Sequence, residues 1–170
     1  LSVVHTTING LGEFSGLAAT EEFAAAIDMH SKISLGLNYS KLHEASNLVS
    51  KITGIKTPPF KPITGKSALA IPETEETQEF MYNLNLENKI DEGMPIPPHL
   101  IGKNVKFSIG KKCNEFTVLY NLKECGYEIS NREAKIIAKE VRRRLSTRNK
   151  YCLITQNDLV RIYLKIKDKL

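Results

Sequence analysis

The sequence predicts an α/β chain in which one strand–loop–helix unit leads into a mostly helical, α+β region. Three observations carry that reading. An apolar, β-branched run opens the chain and breaks at a glycine-bearing loop that holds a lone carboxylate. Alanine-rich and amphipathic stretches with three- and four-residue spacing follow it. The last third sets capping residues in front of apolar stripes, the pattern of successive short helices.

Leu1, Val3, Val4 and Ile8 are strand formers, and Asn9-Gly10 ends their run. Gly12 keeps the backbone permissive beside Glu13, and after Ser15-Gly16 the stretch Glu21-Glu22-Phe23-Ala24-Ala25-Ala26-Ile27 reads as a helix. Together they form one βα unit, the kind whose loop carries chemistry in a (β/α)8 barrel. The unit begins at residue 1 and the other units of such a barrel are missing from the sequence. The expectation is therefore a remnant, the last βα unit, of a (β/α)8 barrel.

A second helix is expected from Tyr39 to Thr53, with Leu42, Ala45, Leu48, Val49 and Ile52 on its core face. Ser40 is its expected N-cap, and Gly54 stands where a C-terminal glycine belongs. The run Lys56-Thr57-Pro58-Pro59-Phe60-Lys61-Pro62 fits neither a helix nor a central strand and marks a boundary. Residues 73–83 read as a short acidic helix, 84–103 as irregular chain held by Pro95, Pro97 and Pro98, and 105–109 as a short strand.

Three helices close the chain. The first runs from Asn114 to Cys125 and stops at Gly126. The second starts at Ser130, which has capping-box spacing with Glu133, and turns Ala134, Ile137, Val141 and Leu145 inward. The third follows Thr155 with Leu159, Ile162, Tyr163 and Ile166 inward. Three parts result: 1–54, the βα unit and the next helix; 55–103, a linker subdomain; and 104–170, a helical C-terminal subdomain.

Bulk properties exclude several classes. At 41% hydrophobic and 25% charged residues the composition is that of a globular protein, and no apolar run approaches a bilayer span. Leu1-Ser2-Val3 lacks the basic and apolar segments of a signal peptide and reads as a truncated or processed start. Cys113, Cys125 and Cys152 are widely spaced without C-x-x-C, which argues against a disulfide framework or zinc finger and fits a reducing cytoplasm. The net charge of +5 concentrates late, at Arg142-Arg143-Arg144, Arg148 and Lys150, then Lys165, Lys167 and Lys169. Without interleaved aromatics or a nucleic-acid motif this is read as a solvated helical face, so no nucleic-acid or membrane partner is expected.

Four segments resemble the 2-isopropylmalate synthase / homocitrate synthase family. Asn9-Gly10-Leu11-Gly12-Glu13-Phe14-Ser15-Gly16 is similar to its N-G-x-G-E-R-x-G after the last barrel strand. Pro98-His99-Leu100-Ile101-Gly102-Lys103 is similar to P-x-x-V-G-[RK], and Gly110-Lys111-Lys112-Cys113-Asn114 to G-K-x-S-G. Leu122-Lys123-Glu124-Cys125-Gly126-Tyr127-Glu128-Ile129-Ser130 is similar to L-x-x-x-G-[YI]-x-[LV]-[ST]. The order is the family's, and the matches reach across nearly the whole chain.

The resemblance implies an acyltransferase joining acetyl-CoA to a 2-oxo acid, with citrate- or citramalate-forming relatives included. A divalent metal ion belongs to that chemistry as a Lewis acid. Its H-x-H pair and acid lie, in the family, upstream of the part matched by this chain. His5, His30, His43 and His99 have no partner histidine at i+2 or i+4, so no metal ligand is assigned here. Activity is not expected of these 170 residues by themselves. The implied partner is a barrel-bearing subunit, or the remainder of the same protein, in a homo- or heterodimer.

Within that frame Glu13 is the catalytic candidate, placed to orient a lysine, a water or a substrate hydroxyl. His5 and Thr7 share one side of an extended strand and are candidates to meet the 2-oxo acid's carboxylate. Asn9 and Gly10 shape the loop, and Gly12 lets an acyl-CoA approach the backbone. Three departures stand out. Phe14 replaces the family's arginine, and Leu17 stands where isopropylmalate synthases carry a metal-ligating asparagine. Ile71-Pro72-Glu73-Thr74-Glu75-Glu76 replaces a histidine-bearing motif, which makes Glu75 and Glu76 candidate substitutes. These departures keep a second class open: a non-catalytic regulatory or assembly module derived from the family.

Overall fold

The computed structural model describes residues 3–31, 33–72, 74–147 and 152–167. Leu1 of the expected strand, Glu73, and the basic residues Arg148, Lys150 and Lys169 lie outside them. The architecture is mixed and helix-rich, with a two-stranded parallel sheet, and divides into two compact units.

The first unit comprises 1–69 with 94–104. The expected opening strand is not formed: 3–6 have no regular pairing, and Thr7 makes a single parallel bridge to Ala19. A strand persists through its neighbours' backbone groups, and the described residues provide none beyond that bridge. The chain then makes a 3-10 turn at Ile8–Gly10 and enters α1, Thr20–His30. The second helix, α2, is Leu42–Thr53; Tyr39–Lys41 forms a 3-10 turn ahead of it. Asn38, rather than Ser40, supplies the capping oxygen, accepting the Ser40 N–H. Gly54 closes α2 at φ 75, as its position in the sequence predicts.

The buried row of α2 also differs from the expected one. Leu42 and Ser46 are buried, with Val49 half-buried on the same i, i+4, i+7 line, whereas Leu48 and Ile52 are exposed. The helix is rotated by a polar contact rather than by its most apolar side, since Ser46 and Ser50 both bond Asn9. Ala24, Ala25, Tyr39, Leu42, Ile63, Leu69 and Ile101 form this unit's core.

The second unit comprises 70–93 with 105–170. Strand β1 (Ala70–Ile71) pairs in parallel with β2 (Lys106–Phe107), Ile71 opposite Phe107. The expected strand over 105–109 thus contracts to two residues, and β1, too short for alternation to reveal, has no counterpart in the sequence reading. Between them α3 spans Glu75–Leu86, longer than the acidic stretch implied, and a 3-10 turn follows at Ile90–Gly93. Helices α4 (Glu115–Glu124), α5 (Asn131–Ser146) and α6 (Gln156–Ile166) make the rest.

Here the sequence signals hold closely. Asn114 caps α4 by accepting the Thr117 N–H, and Ser130 with Glu133 closes a full capping box on α5. Ala134, Ile137, Val141, Leu145, Leu159, Ile162 and Tyr163 are all buried, around Val118 and Leu122 of α4. Phe107 stacks on Tyr120 with ring centroids 4.2 Å apart, and the Tyr120 hydroxyl donates to the Val105 carbonyl. Burial, helped by the charge of Glu124, pushes that phenol up to about 12.

Candidate functional site

Residues 7–20 form a closed loop whose ends are stitched by backbone hydrogen bonds. Thr7 N–H donates to Ala18 O at 3.0 Å, and Thr20 N–H to Thr7 O at 2.9 Å. Leu17 N–H donates to Gly10 O at 3.0 Å, and Gly16 N–H to Glu13 O at 2.9 Å. Gly16 has φ 102 and a Cβ on it would lie 2.5 Å from the Gly10 oxygen, so this position accepts glycine alone without a shift of the backbone. Asn9 and Gly10 are both left-handed, at φ 63 and 73. Asparagine is among the few side-chain-bearing residues that adopt this conformation readily.

Glu13, at the tip, is exposed. Phe14 beside it is fully exposed at 103% and left-handed at φ 55, which is unusual for a bulky residue. The space a side chain would need at Gly12 is already taken by Leu17, 2.8 Å from a Cβ there. Thr7 has its hydroxyl buried without a hydrogen bond, while His5 is exposed; the two do not share one environment.

The loop is anchored from behind by residues that its own motif does not contain. Asn9 N–H is shared by both carboxylate oxygens of Glu21, at 3.1 and 3.2 Å. Glu21 is 0% exposed, on the first turn of α1. Lys61, from the proline-rich crossover, lies 3.4 Å from Glu21 and donates to Glu22. Burial works against the Lys61 charge, but the hydrogen bond with Glu22 and the charges of Glu21 and Glu22 outweigh it and raise its pKa. The Asn9 amide donates to Ser46 O at 3.0 Å and to Ser50 Oγ at 3.3 Å, and its oxygen accepts from Ser46 Oγ. Glu21 and Lys61 were invisible as site residues in the motif. The available signal is the helix row 21, 24, 25, in which a carboxylate shares the buried side with two alanines.

Among the described residues no group of three His, Cys, Asp or Glu side chains is arranged to hold a metal ion. In the segment that replaces the histidine motif, Ile71 is buried in β1 and Glu76 is exposed on the first turn of α3. Of the basic residues, Arg143 and Arg144 both bond Glu140, and Arg142 donates to the Cys113 carbonyl. No described helix is long and apolar enough to cross a membrane.

Along the chain's opening lies an open apolar cleft of about 580 Å³, lined by Val3, Val4, Phe23, Ile27, Ile33 and Leu35.

No family model matches the chain. Individual relatives do. It is 37% identical over 127 residues to the 2-isopropylmalate synthase of Methanocaldococcus jannaschii, covering 74% of this chain and 23% of that protein. It is 34% identical over 134 residues to the 2-isopropylmalate synthase of Geobacillus stearothermophilus, covering 76% of this chain and 25% of that protein. A Methanopyrus kandleri protein bearing the name (R)-citramalate synthase CimA is 31% identical over 156 residues, covering 92% of this chain and 29% of that protein. The match is thus to a class of synthases, and it covers most of this chain. The chain belongs to the 2-isopropylmalate synthase / homocitrate synthase family. It spans about a quarter to a third of the length of these relatives.

Proposed function

We propose that this chain is the C-terminal part of an acyltransferase that condenses acetyl-CoA with a 2-oxo acid, acting with a barrel-bearing subunit or segment. The observation that carries the reading is the loop 9–16, closed by backbone hydrogen bonds and left-handed at Asn9, Gly10, Phe14 and Gly16, with Glu13 exposed on it. The family relationship supports the reaction class, and the apolar cleft along Val3, Val4, Ile33 and Leu35 supports the need for a covering partner. The βα unit 1–35 would be the last of a (β/α)8 barrel, its opening residues pairing with a neighbouring strand on assembly.

In the condensation a base removes a proton from the thioester methyl, the resulting carbanion attacks the 2-oxo carbon, the alkoxide so formed takes up a proton to become a hydroxyl, and hydrolysis of the thioester then releases CoA. The chain's own contribution is electrostatic and positional. Glu13, at the loop tip, orients a hydroxyl or water at the reacting centre, and Asn9 and Gly10 fix where it points. The divalent metal of that chemistry would polarise the 2-oxo carbonyl as a Lewis acid and would be held by ligands outside this chain. Cysteines without C-x-x-C spacing suit a cytoplasmic site of action.

The test combines the purified chain with its barrel-bearing complement, a 2-oxo acid and acetyl-CoA, and follows thiol release. The expected result is release that requires both components and falls at least about 100-fold with Glu13→Ala. Release unaffected by Glu13→Ala removes that residue's role. A second reading, a non-catalytic assembly module, is favoured by one feature: buried Ile71 stands at the segment where a histidine is expected. It predicts complex formation without any effect on thiol release.

A further inference from the structure

We infer that Glu21, backed by Lys61, is a positioning residue that sets the conformation of the loop bearing Glu13. The inference extends the reading above and rests on it for its catalytic consequence. The loop has little apolar anchorage, for residues 12–18 are exposed and residue 11 is half-buried. Its shape is therefore fixed by hydrogen bonds, which water competes for unless their partners are buried. The N–H of left-handed Asn9 meets such a partner, both oxygens of a carboxylate with no solvent exposure.

A buried carboxylate is tolerated when a cation and donors surround it. Lys61 meets that need from the crossover, while Glu22 takes the outer side of the same ammonium. The result is a chain of contacts from Lys61 through Glu21 to Asn9, four residues before Glu13. The Asn9 side chain is held independently by Ser46 and Ser50 of α2, with Thr57 2.7 Å from Ser50 Oγ. The backbone and side chain of one residue are thus held by different helices, α1 and α2. Removing Glu21 frees the backbone grip and leaves the side-chain grip intact, so the loop loosens without α2 leaving.

The experiment uses the full chain with Glu21→Ala, Glu21→Gln and Lys61→Met, read first by amide hydrogen exchange. In Glu21→Ala the Asn9 N–H exchanges roughly 10- to 100-fold faster, the factor a hydrogen bond to a charged group represents. Amides of α2, in the same unit as the loop, are unchanged, which shows that this unit is still folded in the variant. Glu21→Gln keeps an acceptor oxygen and restores most of the protection; Lys61→Met gives an intermediate rate. With the barrel-bearing complement present, Glu21→Ala lowers kcat for thiol release roughly 10-fold or more while KM for acetyl-CoA stays within about threefold, and Glu21→Gln recovers it. Asn9 exchange unchanged in Glu21→Ala, or an equal loss in the Gln variant, overturns the inference. Absence of thiol release in the parent complex counts against the proposed function instead, and the exchange rates still decide the role of Glu21 in the loop.

Discussion

Asn9 concentrates several demands in one residue: φ 63, a backbone N–H directed to Glu21, and a side chain that bonds Ser46 and Ser50. Asn9→Val keeps the N–H but disfavours the left-handed φ that aims it at Glu21, and its side chain makes none of the hydrogen bonds. It is expected to lower stability by about 2–3 kcal/mol, from left-handed strain and lost hydrogen bonds, measured by urea unfolding. The motif around Asn9 was legible because left-handed turns select glycine and asparagine. Glu21 was not, because its importance comes from which way α1 faces, and an acidic residue in a helix's first turn ordinarily reads as a dipole partner.

At the scale of elements, capping chemistry was the most readable signal. Ser130 and Glu133 close one box on α5, and Thr155 and Asp158 close another on α6 with the same spacing. Thr155→Ala should cost about 1 kcal/mol in thermal or chemical unfolding. Arg143 and Arg144 on α5 hold the Glu140 carboxyl down to about 2 through their hydrogen bonds. Because the folded value is depressed, that contribution is complete above the ordinary 4.5 and is lost as pH falls from there toward 2. A double variant, Arg143→Ala with Arg144→Ala, should differ from the parent in Tm at neutral pH and converge with it at the acid end of that window. The face of α2 was misread for a physical reason: hydrophobic spacing assumes that apolar contacts orient a helix, whereas two serines bonded to Asn9 orient this one.

For the whole molecule, the second unit carries a continuous core in which Val118, Leu122, Ala134, Ile137, Val141 and Leu159 have no exposed surface. Leu122→Ala is expected to cost about 2–5 kcal/mol, read as a shift in the urea midpoint. The core was foreseeable because its helices carry their own caps and apolar rows. The opening of the chain was not, since strand-forming residues specify a strand only when another strand lies beside them. Val3, Val4, Ile33 and Leu35 instead face an open cleft, where serine substitutions should leave unfolding of the chain nearly unchanged while weakening assembly with a barrel-bearing complement, as measured by sedimentation.

That cleft also bears on supply inside a cell. Greasy surface awaiting a cover attracts chaperones, proteases and further copies of itself. On the proposed reading with a separate barrel-bearing subunit, a surplus of this polypeptide over that subunit would be removed or would clump, so the two would be best produced in matched amounts and joined soon after synthesis.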